Sequence, residues 1–94
     1  MRKPMNLSES TFENLCGLFS YKPKGRPLDV KEAAELLGLS TDTLEGYRYR
    51  GVGPRYFMPK GTRRVWYAER DLLAWLASGV RYSTSDQPEE YAAA

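Results

Sequence analysis

Residues 29–51 read Asp29-Val30-Lys31-Glu32-Ala33-Ala34-Glu35-Leu36-Leu37-Gly38-Leu39-Ser40-Thr41-Asp42-Thr43-Leu44-Glu45-Gly46-Tyr47-Arg48-Tyr49-Arg50-Gly51, and their punctuation decides the fold. Asp29 is a favoured helix cap, and Glu32 stands three positions on, where its side chain reaches back to the cap. Ala33, Ala34, Leu36 and Leu37 follow, and Gly38 suits the left-handed conformation that ends a helix. The small pair Ala33-Ala34 lets a second helix approach closely. Leu39 anchors the turn, Ser40 caps a second helix running to about Arg50, and Gly51 stops it. On that helix Leu44 and Tyr47 fall on one face, toward the core. Thr41, Asp42, Glu45, Arg48 and Tyr49 are left facing outward. Two helices joined by so tight a glycine-containing turn predict a helix-turn-helix, whose second helix is the reading element.

Downstream, Tyr56-Phe57-Met58-Pro59 and Arg64-Val65-Trp66-Tyr67 are β-prone runs around Lys60-Gly61-Thr62-Arg63. This predicts a hairpin with cations at its tip, a wing beside the second helix. From Tyr47 to Ala68 there is no acidic residue, while Arg48, Arg50, Arg55, Lys60, Arg63 and Arg64 are basic. A polyanion suits such a run, because each phosphate contact releases condensed counterions. A last helix over about 69–77 turns Leu72, Leu73, Trp75 and Leu76 inward, with Glu69 and Asp71 in its positive first turn. Trp66 and Trp75 read as core residues.

Upstream, the segment from about Ser8 to Phe19 places Phe12, Leu15, Cys16 and Phe19 at helical spacing, capped by Ser8 or Ser10. Phe12, Leu15 and Phe19 make either a packing face or a contact face for a second copy. Tyr21 to Pro27 reads as a solvated linker, with two prolines, a glycine and three cations. Its Lys24-Gly25-Arg26-Pro27 also has the form of a hook in which Lys24 or Arg26 contacts a narrow minor groove or its phosphates. The expected organisation is a helical extension and basic linker over 1–27, the winged domain over 28–79 and an acidic, flexible tail over 80–94. The fold class is mainly α with a small β-hairpin wing, a winged helix-turn-helix.

Charge distribution agrees with that division. The whole chain of 94 residues carries a net +2, but residues 22–74 hold eleven Lys/Arg against seven Asp/Glu. The tail has Arg81 against Asp86, Glu89 and Glu90. One cysteine and no histidine argue against a zinc site, and no metal or cofactor is expected. Nothing follows Met1-Arg2-Lys3-Pro4 that resembles a signal sequence, and no apolar run approaches the length of a membrane span. The expectation is a cytoplasmic protein, nucleoid-associated when bound to DNA. It is not expected to be an enzyme: no phosphate loop, nucleophile–base pair or framed carboxylate pair is present.

Taken together, Leu28 to Ala77 resembles the winged helix-turn-helix modules related to the MerR DNA-binding domain, including AlpA-like regulators and many excisionases. The resemblance rests on Asp29 to Ser40, Thr43-Leu44, Tyr47-Arg48, Gly51-Val52-Gly53-Pro54, Arg63 to Tyr67 and Asp71 to Leu76. It implies that the 40–50 helix enters the major groove of double-stranded DNA, with Thr41, Asp42, Glu45 and Arg48 toward base edges. It places Thr43, Tyr49, Arg50 and Arg55 at phosphates, and Lys60, Thr62, Arg63 and Arg64 on the wing. Asp42 and Glu45 depart from the cations common there, which implies either acceptors toward cytosine amino groups or weak specificity. Gly46 departs too, at a cost of about 1 kcal/mol against alanine in mid-helix, and suits the close approach of a neighbour. The function implied is an excisionase (a recombination directionality factor) that binds adjacent sites with further copies of itself, bends DNA and steers a site-specific integrase. An AlpA-like transcriptional regulator of a phage or mobile element is the alternative, and a protein-binding winged adaptor a third.

Overall fold

A computed structural model describes residues 11–82. Ser8, Ser10 and the tail beyond Tyr82 lie outside the described residues. The elements are α1 (Phe12–Leu18), β1 (Leu28–Asp29), α2 (Val30–Leu37), α3 (Thr41–Arg50), β2 (Trp66–Tyr67) and α4 (Glu69–Ala77). This is a mainly helical winged helix-turn-helix.

Local chemistry sets the boundaries. Asp29 accepts from the Glu32 amide at 2.8 Å while Glu32 accepts from the Asp29 amide at 3.1 Å, closing the expected capping box. Gly38 (φ 73°) ends α2, with Leu39 N–H bonded to Ala34 C=O and Gly38 N–H to Glu35 C=O. Gly51 (φ 70°) ends α3 through the equivalent bonds from Val52 to Tyr47 and from Gly51 to Arg48. Ser40 caps α3 by accepting from the Thr43 amide. The first helix starts later than the sequence pattern suggested: Thr11 is its cap, accepting from Asn14 at 3.1 Å.

The sheet differs from the expected hairpin. Its ladder pairs β1 with β2, antiparallel, Leu28 opposite Tyr67 and Asp29 opposite Trp66. The wing is closed by one further bridge, Phe57 to Trp66, with both backbone bonds at 2.8 Å. Trp66 is therefore paired on both edges. The first run stops short because Pro59 has no amide to donate and its carbonyl instead accepts the Thr62 amide in a turn. Gly61 takes φ 81° in that turn, a position only glycine fills without strain.

Two apolar clusters meet at α4. One gathers Leu28, Ala33, Ala34, Leu44, Val65, Tyr67 and Leu72, and so fixes α3 across the small residues of α2. The other gathers Leu15, Leu73 and Ala77, with Phe12, Cys16 and Tyr21 packed against them. Leu15 is thus consumed inside the chain and does not belong to a contact face for another copy; α4 is the partner its apolar stripe was shaped for. Trp66 and Trp75 are half-buried rather than core.

The segment 21–27 is exposed from Lys22 to Pro27, as its composition suggested, but it is fastened to the domain. Glu69, the one buried charged residue among those described, receives the Tyr21 hydroxyl, the Lys24 amide at 2.8 Å and the Gly25 amide at 3.1 Å. Burial alone pushes its carboxyl up, but these three donors outweigh burial and hold it below the ordinary carboxylate range. The carboxylate at the head of α4 thereby ties the connection after α1 to the body of the domain.

Candidate nucleic-acid interface

The reading helix is oriented from beneath. Leu44 is fully buried against α2, and the Tyr47 ring leans on Trp75 with centroids 5.9 Å apart. Gly53 lies so close that a Cβ there would stand 2.8 Å from that of Tyr47, so the chain can leave α3 and turn into the wing only without a side chain at that point. These contacts point the first turn of α3 outward, and Thr41, Asp42 and Thr43 are all exposed. The Thr43 hydroxyl is shared with the cap, accepting from Ser40 Oγ at 2.9 Å. Among the described residues, nothing outside the helix's own nearby backbone comes within 4 Å of a Cβ built on Gly46.

The cations divide into two groups. Arg48 does not face outward with Thr41 and Asp42. Its side chain is only 11% exposed, its guanidinium lies 5.3 Å from the Tyr49 ring and 5.7 Å from the Tyr56 ring, and Nη2 is 3.6 Å from Glu45. Its Nη1 is buried without a partner among the described residues. The aromatic pair draws the cation back toward the root of the wing, so base contact by Arg48 would require it to leave this position. Arg26 is likewise engaged, forking onto Glu32 at 2.9 and 2.5 Å instead of projecting toward a groove. That pair holds the Glu32 carboxyl down to about 2 through the Arg26 and Asp29 bonds. Arg55 forks onto Asp71 at 3.1 Å from both Nε and Nη2.

The second group points to solvent. Tyr49 (78% exposed) and Arg50 stand at the end of α3. Lys60, Thr62, Arg63 and Arg64 are exposed on the wing, Arg64 stacked over Trp66 at 4.9 Å. The Thr62 hydroxyl is turned back onto the Pro59 carbonyl at 2.8 Å, stiffening the tip. The Lys24 side chain is exposed, although its amide is bound. Asp42 and Glu45 remain the acidic residues of the face, Glu45 partly neutralised by Arg48.

A helix presented over its first turn, flanked by a stiff cationic ribbon, is the arrangement of a groove-reading domain. A helix-turn-helix domain family model matches residues 27–80, more than half of the chain. The chain belongs to this helix-turn-helix domain family. No curated protein and no solved structure matches it. The chain thus carries a DNA-binding helix-turn-helix domain, and α2 and α3 are the two helices of its motif. The match begins at Pro27, so α1 lies outside it, although α1 shares the second core cluster with α4. Among the described residues no helix is long and apolar enough to cross a membrane.

Sequence reasoning passed over one part of this face. Tyr56, Phe57, Met58 and Pro59 are all exposed in succession on the cationic wing. The signal was present as an apolar run inside a stretch without acids, but its β-propensity accounted for it as strand.

Proposed function

We propose that this domain is an excisionase-type DNA-binding protein that occupies adjacent sites, bends DNA and directs an integrase toward excision. The observation that carries the reading is the pairing of an outward first turn of α3, Thr41 to Thr43, with the exposed cations Arg50, Lys60, Arg63 and Arg64. In this reading Thr41, Asp42 and Glu45 meet base edges, while Thr43, Tyr49, Arg50 and the wing residues meet phosphates. Arg48 and Arg55 hold the wing root, and Arg48 reaches DNA only on release from Tyr56. Of Lys24 and Arg26, it is Lys24, not the paired Arg26, whose side chain is left to approach a flanking phosphate.

Contact between copies would use the exposed far end of α1, Leu18 and Phe19, since Leu15 is buried and Phe12 half-buried. A contact of that kind between different surfaces does not close and runs along adjacent sites. The likeness to MerR-related modules, excisionases among them, supports this role, and an AlpA-like regulator would use the same face at a promoter.

Footprinting on a duplex that spans the attachment site and promoter of the parent element tests the proposal. Stepwise, cooperative protection of repeated sites within the attachment region is expected. Protection of a single promoter-proximal site would replace excision with transcriptional control. Binding indifferent to salt would remove DNA altogether and leave a protein-binding adaptor.

A further inference from the structure

We propose that Met58 is a wedge that enters the minor groove and unstacks a base step, so that the wing kinks the DNA it contacts. The inference rests on the DNA-binding reading above and adds to it the residue that would produce a bend.

Met58 sits between the Phe57–Trp66 bridge and the Pro59–Thr62 turn, next to the tip of the wing. Its neighbours on both sides are exposed too, but they face a groove of the domain. Phe57 and Pro59 line a surface groove of about 460 Å³ together with Phe12, Pro27 and Trp66. Met58 belongs to neither apolar cluster and is 49% exposed. A lone exposed apolar side chain needs no explanation in general. This one is placed among Lys60, Arg63 and Arg64 in a stretch without a single acid, so the surface it would meet on binding is a polyanion rather than an apolar protein face.

Charge complementarity therefore selects nucleic acid as the occupant. The wing cations would draw phosphates to both sides of the tip, and the group then facing the groove floor is a thioether chain. Proteins that bend DNA from the minor groove insert just such apolar groups between base pairs, kinking the duplex by roughly 20–90°. Methionine is unbranched and slides into a narrow gap. The tip behind it is stiff, held by the Thr62 amide and hydroxyl on the Pro59 carbonyl, and so can transmit the push.

The test measures bend and affinity separately, using the full chain and fluorophore-ended duplexes of about 30 base pairs with a central TpA step, a CpA step or neither. End-to-end energy transfer should report a kink with native protein, greater on duplexes with the flexible steps. Met58→Ser should lose most of the bend at saturating protein, and Met58→Leu should keep it. Arg63→Ala should weaken affinity yet leave the bend at saturation unchanged. A Met58→Ser complex bent as far as the native one would overturn the wedge while leaving DNA binding intact. Salt-sensitive binding by native protein without any bend would do the same. Absence of salt-sensitive binding to any duplex would overturn both the wedge and the DNA reading. Unchanged far-ultraviolet dichroism and denaturant midpoint in Met58→Ser, expected for a half-exposed side chain outside both clusters, show that a lost bend is not lost folding.

Discussion

The Arg48 guanidinium stands 5.7 Å from the centre of the Tyr56 ring, joining the last turn of the reading helix to the root of the wing. The last turn of α3 and the wing are thus fastened to each other through a cation and an aromatic face. The contact also places a positive charge at the negative end of α3, where it is favoured.

That contact makes Arg48 and Arg63 separable. Arg48→Ala should lower the unfolding free energy by about 1 kcal/mol, through the lost cation–π contacts and packed stem. Arg63→Ala should leave stability unchanged, weaken binding to all sequences and reduce the salt slope by about one. Urea titrations of both variants beside salt-dependent binding curves decide the matter. An Arg48→Ala protein as stable as the parent would show that the aromatic pair is not holding the wing.

Gly46 offers a second separation, between folding and binding. Nothing among the described residues crowds its missing Cβ, so Gly46→Ala should stabilise the domain by about 1 kcal/mol through helix propensity alone. On a domain of this size that corresponds to a rise in Tm of roughly 4–8 °C. If the bare backbone is where DNA or a neighbouring copy comes close, affinity should fall in the same variant. Greater stability with undiminished binding would take Gly46 out of the interface.

What was legible in the sequence was local. Asp29 with Glu32, Gly38, Ser40 and Gly51 act on atoms within a few residues of themselves, and each sits where the pattern of residue types placed it. The wing was legible from β-propensity and its turn, but its pairing was not. Leu28 and Asp29 reach Tyr67 and Trp66 across most of the domain, and two residues carry too little alternation to announce a strand. Glu69 was hidden for the same reason. An acid in a first helical turn reads as a favourable surface charge, and only the fold brings Tyr21, Lys24 and Gly25 to it. Arg26, Arg48 and Arg55 show the limit for sites: a count of cations cannot say which are already paired.

The Glu69 cluster gives stability a pH dependence at both ends. Its carboxyl is held below its ordinary 4.5, and that of Glu32 is down to about 2, so both favour the folded state when ionised. Each contribution is complete above the unfolded value and is lost as pH falls, that of Glu32 between about 4.5 and 2 and that of Glu69 as pH falls below 4.5. Tyr21 works in the opposite sense. Burial and its bond to Glu69 raise it above its ordinary 10.0, so its contribution is present below that value and is lost as pH rises beyond it. Denaturant midpoints should be level between these windows and decline in each. Glu69→Gln should cost roughly 3 kcal/mol near neutrality, by weakening three bonds to a buried charge, and should flatten much of the acid decline. An acid limb as steep in Glu69→Gln as in the parent would place its origin elsewhere.

The two ends of α1 should respond to substitution in different ways. Leu15 is 1% exposed between Leu73 and Ala77, so Leu15→Ala should cost about 2–5 kcal/mol of stability. Phe19 and Leu18 are 38% and 53% exposed, and replacing both with serine should alter stability far less. Their loss should appear instead as reduced cooperativity on DNA with several adjacent sites, with binding to a single site preserved. Sedimentation of complexes on one-site and multi-site duplexes, with unfolding curves alongside, separates these effects. A double-serine variant that still fills adjacent sites cooperatively would move the contact between copies away from α1.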